Sequence, residues 1–151
     1  MVFVDASALV KRYVREQHSA AVRRLLAAEP IAVSRLSEVE VPAALARLLR
    51  ARRLSPRAAD RALRAFVADF AVWHVVEVTT DVTRVARMQL RRYDLRAGDA
   101  IQLASALWLR QTLPVAGLVA FDTRLVHAAF AEQFTLPIRS GRQSNFPNVD
   151  S

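Results

Sequence analysis

The chain has 151 residues, 53% of them hydrophobic, which matches one compact domain able to bury a sizeable core. It contains no cysteine, so thiolate zinc sites and a disulfide framework are excluded. Formal net charge is +8, and Lys11 is the only lysine among 22 basic residues. The excess is therefore arginine, whose planar fork suits phosphate; a polyanionic partner is one reading, and solvated helix faces are an equally weighted one for any single arginine.

A charge arrives at Asp5 before any apolar stretch long enough for a signal peptide, so no export is expected and the cytoplasm is the expected location. The longest uncharged run, 111–121, falls far short of the roughly 20 residues a membrane-spanning helix needs.

The first apolar run, 2–4, is short and rich in β-branched residues, as a buried parallel strand would be. Helical spacing follows over 7–14 and 19–28, and Pro30 ends the second helix. A second strand is expected at 31–33. A long helix follows over 36–53, with Val41, Ala44, Leu45 and Leu48 as its apolar stripe. Ser55 is an N-cap and Pro56 a first-turn residue for a helix reaching about Phe70.

Strand 73–78, helix 81–92 and a nearly wholly apolar central helix over 97–113 come next. A strand over 118–121 leads into a helix through Leu125, Ala129 and Phe130, then a short fifth strand at 136–138. This alternation predicts a three-layer α/β/α domain over 1–138, with a central, mostly parallel sheet of four to five strands. The tail, 139–151, has few apolar anchors and is expected to be flexible. The glycines, Gly98, Gly117 and Gly141, are too far apart to form a phosphate-binding loop.

Four acids stand where a strand ends or a helix begins: Asp5, Glu40, Asp99 and Asp122. Parallel strands of an open α/β sheet share one crevice at their carboxyl ends, so acids distant in sequence can meet there. Asp5 and Asp122 also read as helix N-caps, and Glu40 as a surface carboxylate near Arg47. Asp99 opens the most apolar helix, where the small dipole benefit hardly offsets burial of an unpaired charge. Two carboxylates about 4 Å apart repel by roughly 4 kcal/mol at an effective dielectric of 20, so a cluster of them calls for a cation. Oxygen-only ligands favour Mg²⁺, with Mn²⁺ as a substitute.

The segments carrying these acids resemble those of the PIN-domain ribonucleases, in particular VapC-type toxins of VapBC toxin–antitoxin systems. The likeness covers nearly the whole chain. Its first motif is Val4, Asp5, Ala6, Ser7, and its second is Glu40 followed by Val41, Pro42, Ala43, Ala44, Leu45. The third is Leu95, Arg96, Ala97, Gly98, Asp99, Ala100, and the fourth is Val119, Ala120, Phe121, Asp122. Two positions depart from the family pattern: Gln102 stands where many relatives carry His, and Pro42 lies near the start of the long helix.

The resemblance implies a toxic endoribonuclease that cleaves phosphodiester bonds in a structured RNA, a transfer or ribosomal RNA, through Mg²⁺-activated water. Asp5 and Asp99 would be the principal metal ligands, Glu40 and Asp122 would complete the acidic site, and Ser7 would assist. It also implies a homodimer and inhibition by a small VapB-like antitoxin. Two rivals remain. A Mg²⁺-dependent phosphatase with an aspartyl nucleophile would want a second Asp where Ser7 stands. A non-catalytic RNA-binding or interaction module would use its basic helices alone, with the acids serving as caps. A histidine-based ribonuclease is not supported, because His18, His74 and His127 fall in separate segments.

Overall fold

A computed structural model describes residues 1–138; the tail expected to be flexible lies outside the described residues. Four short strands, β1 (Val2–Val4), β2 (Ile31–Ser34), β3 (His74–Val76) and β4 (Gly117–Val119), form one all-parallel sheet in the order β3-β2-β1-β4. The helices are α1 (Ala6–Tyr13), α2 (Ser19–Ala28), α3 (Ser37–Arg50), α4 (Pro56–Phe70), α5 (Thr80–Arg92), α6 (Ala97–Leu109) and α7 (Thr123–Ala131). None of the described helices is long and apolar enough to cross a membrane.

Strand alternation creates the three layers. Val2, Val4, Ile31, Val33 and Val119 point to one face, where they pack with Leu9, Val22, Val41 and Phe66 from α1 to α4. Phe3, Ala32, Val76 and Leu118 point to the other, against Val82, Leu103 and Leu125 from α5 to α7. Because both faces are covered, β1, β2 and β4 are buried along their whole length rather than alternating buried and exposed. Helix α6 packs against β2, α5 and α7, so the most apolar helix is the keystone of its layer.

The strand order places β1 between β2 and β4. The chain moves outward from β1 through β2 to β3, then returns to the opposite side of β1 with β4. That reversal makes a switch point at the carboxyl ends of β1 and β4, the place where an open parallel sheet leaves a crevice.

Several element ends differ from the sequence pattern. Helix α3 stops at Arg50 because Arg52 adopts a left-handed conformation (φ 57°), with Arg53 N–H bonding Leu48 C=O and Arg52 N–H bonding Leu49 C=O. Helix α7 ends the same way through Gln133 (φ 64°). Helix α6 stops four residues short of the expected end, where the Thr112 hydroxyl and amide both return to Leu109 C=O. A single parallel bridge, Gly117 to Thr135, replaces the fifth strand; Pro137 has no N–H to extend a ladder.

Leu103 of α6 is 0% exposed at the centre of this layer. Leu103→Ala should therefore cost about 2–5 kcal/mol in urea denaturation. A cost under about 1 kcal/mol would show that α6 is not the keystone.

Candidate active site

The four acids and Ser7, drawn from separate segments, line one cleft of about 360 Å³ at the carboxyl ends of the strands. Ala6, Val10, Ala43, Ala44, Arg47, Arg96 and Gly98 complete its wall. Among the described residues no group of three or more His, Asp or Glu side chains is arranged, as it stands, to hold a metal ion. The carboxylates share the cleft without forming a closed cage.

Asp5 leaves the end of β1 and caps α1, its Oδ2 accepting the Ser7 N–H at 2.9 Å. The Ser7 hydroxyl in turn accepts the Phe121 N–H at 3.0 Å, which holds the chain leaving β4 against the start of α1. Asp122 caps α7 through Oδ1, accepting from the amides of Arg124 (2.9 Å) and Leu125 (3.3 Å). Capping and cleft lining are therefore not alternatives here. Each cap bond uses one carboxylate oxygen, while the same side chain borders the shared cavity.

Glu40 lies near the start of α3, half-buried, with Oε2 accepting from Gln102 Nε2 at 2.7 Å. Helix α3 continues unbroken through Pro42, so that residue does not displace Glu40 from the cleft. Asp99 lies in the first turn of α6, and its Oδ2 is buried without a hydrogen-bond partner.

These carboxylates disturb one another. Asp5, only 5% exposed, is pushed up to about 6, first by burial and then by repulsion from Glu40 and Asp99, against hydrogen bonding from Ser7. Glu40 is also raised, mainly by burial and further by Asp99, with the Gln102 bond and Arg47 opposing. Burial raises Asp99 and Asp122 adds to the shift; the Arg96 backbone, Arg124 and Arg96 oppose it. Asp5 buried, Glu40 and Asp99 half-buried, and an Asp99 oxygen without a hydrogen-bond partner make an all-oxygen donor set on one cleft, which fits Mg²⁺ or Mn²⁺.

Beside this cleft lies a depression of about 350 Å³, with Ser7, Val10, Ala44 and Arg47 in both walls and Leu48, Ala51, Glu16 and Arg53 beyond. Arg47 thus stands at the junction, and beyond it Arg53 pairs with Glu16 at 3.7 Å. The sequence marked the acids and Ser7, but assigned no role to Gly98 or Gln102, both of which touch Glu40's position. A signal was present. Gln102 is a polar residue in the most apolar helix, one turn after Asp99.

The raised Asp5 makes metal-free stability depend on pH. Its folded pKa, about 6, exceeds the ordinary 3.8, so the folded state holds the proton more tightly. Stability should fall as pH rises between those values, and the deficit should persist at pH 7. Asp5→Asn keeps a cap acceptor and removes the charge, so it should stabilise the metal-free protein at pH 7 by roughly 1–3 kcal/mol. Chemical denaturation in EDTA checks this; an unchanged or less stable variant would contradict it.

Comparison with known proteins agrees with this fold. The fold is similar to a toxin–antitoxin complex from Klebsiella pneumoniae, with TM-score 0.66 and 16% identity over 93% of this chain and 100% of that one. It is also similar to VapC20 of Mycobacterium tuberculosis, a toxin that cleaves the sarcin–ricin loop, with TM-score 0.65 and 25% identity over the same shares of the two chains. No curated protein sequence matches the chain significantly. The family profile described as PIN domain matches residues 2–131, which include all four acids and every described strand and helix, and the chain belongs to the PIN domain family.

Proposed function

We propose that the chain is a Mg²⁺-dependent endoribonuclease, the toxin of a type II toxin–antitoxin system, which cuts a structured RNA by hydrolysis. One observation carries the reading: Asp5, Glu40, Asp99 and Asp122 come from four separate segments and border one cleft in which three of them are electrostatically raised. Membership of the family and the likeness to a VapC toxin that cleaves the sarcin–ricin loop support the same chemistry.

Asp5 and Asp99 would be the principal ligands of a divalent cation, with Glu40 and Asp122 bordering it. When bound, the cation would neutralise the cluster, polarise a phosphate and lower the pKa of a nearby water. Ser7 keeps Asp5 oriented through its amide and ties β4's exit to α1 through its hydroxyl. Arg47 and Arg96, exposed on the cleft wall, are placed to contact RNA phosphates. No protein nucleophile is required. The phosphatase alternative lacks its second acid, since the Ser7 hydroxyl at that position accepts the Phe121 amide. We further propose a homodimer, a VapB-like antitoxin partner and a cytoplasmic site of action, in keeping with an RNA target and with the toxin–antitoxin neighbours.

Millimolar Mg²⁺ or Mn²⁺ should raise the melting temperature of the wild type, and Asp5→Asn or Asp99→Asn should abolish that rise. An unchanged wild-type melting curve would contradict the metal site. On transfer RNA and on a sarcin–ricin stem-loop, Asp99→Asn should lose metal-dependent cleavage by on the order of 10²-fold or more. RNA binding by the variant should survive and weaken with added salt. Equal cleavage in EDTA would overturn the mechanism, and binding without any cleavage by the wild type would favour the non-catalytic module.

A further inference from the structure

Resting on the metal-site reading above, we infer that Gly98 and Gln102 together set the position of the Glu40 carboxylate at the cleft, Gln102 by holding one oxygen and Gly98 by leaving room for the other. A glutamate side chain has several rotatable bonds, and its tip must be immobilised if it is to meet an ion with useful precision. In this chain a single turn of α6 supplies a donor for one oxygen and room for the other.

Gln102 holds Oε2. Its Nε2 donates to Glu40 Oε2 at 2.7 Å and to the Ser37 hydroxyl oxygen at 3.1 Å, and the residue is 1% exposed. An ionised carboxylate only accepts hydrogen bonds, so the amide nitrogen must face Glu40. The amide's own oxygen is buried with no partner. Burying such a group is costly, so apolar packing does not explain why an amide occupies this helix position.

Gly98 leaves room for Oε1. A Cβ built on Gly98 would lie 2.7 Å from Glu40 Oε1, closer than real contacts allow. Glycine is the poorest helix former after proline, and Gly98 sits in the first turn of α6 without the positive φ that would call for it. Conformational freedom therefore does not explain the residue; the space above its Cα does. Because Oε2 is pinned by Gln102, the carboxylate cannot simply swing away from a new methyl group.

Gly98 and Gln102 are one turn apart and bracket Asp99. The same turn that presents one acid to the cleft thus positions a second acid delivered by α3. Gly98 and Gln102 are positioning residues, acting on the ion only through Glu40.

The test measures Mn²⁺ affinity from the electron paramagnetic resonance signal of free Mn²⁺, which reads weak binding. Gly98→Ala and Gln102→Met should each weaken Mn²⁺ binding about tenfold, the scale for removing a group that orients a ligand. In a Glu40→Ala background, neither substitution should change Mn²⁺ affinity more than about twofold, because the group they position is gone. Single variants within about twofold of wild type, or an undiminished tenfold effect in the Glu40→Ala background, would overturn this positioning role. Should Gln102→Met fail to fold, Gly98→Ala decides alone. If the wild type itself does not bind Mn²⁺, the metal-site reading falls and the positioning role with it; if the wild type binds and the variants match it, only the positioning role falls.

Discussion

Electrostatic repulsion among carboxylates forced into one cleft is the constraint around which this molecule is arranged. Asp5 is almost fully buried, Glu40 and Asp99 are half-buried, and burial raises all three before their mutual repulsion is added. Left to local energetics, such side chains would separate or move into water. They stay together because each is carried by backbone that the rest of the fold holds in place, and a divalent cation, as proposed, would turn the repulsion into coordination.

The topology supplies that holding force. Strand β1 runs between β2 and β4, buried on both faces, so its carboxyl end can go nowhere but the switch point. Asp5 follows it directly, and the Ser7 hydroxyl fastens the backbone just before Asp122 to the same spot. On the other side of the cleft, α6 is anchored by Leu103 and Ala104 in a solid apolar layer and carries Asp99 at its first turn. Buried polar bonds tie α6 to the β2–α3 segment: Ser105 to Ser34, and Gln102 to Ser37 and Glu40. The site is thus assembled by elements whose stability comes from apolar packing elsewhere, and the burial of Asp5, Glu40 and Asp99 opposes that stability.

Much of this was legible in the sequence because it rests on local patterns. The apolar triplet before Asp5, the Ser55–Pro56 start of α4 and the helical span of α2 agree with the structure to the residue. The acids were legible because each sits at a strand exit or in a first helical turn, positions that an open parallel sheet gathers at one edge. Helix C-termini were harder to read. Arg52 and Gln133 take the left-handed conformation usually marked by glycine, so no residue type announced the stop. The fifth strand failed for a different reason, since Leu136 and Ile138 have strand-like side chains but Pro137 between them cannot donate to a ladder. The Gly98 and Gln102 contacts with Glu40 join residues about sixty apart through tertiary packing, a distance no periodicity reports.

The central claim is that these carboxylates share a divalent ion, and Mn²⁺ anomalous diffraction from soaked crystals tests it most directly. A shared cation predicts an anomalous peak inside the cleft, within about 2.1 Å of oxygens from both Asp5 and Asp99. No peak at saturating Mn²⁺, with both side chains still bonded only to neighbouring backbone, would contradict it.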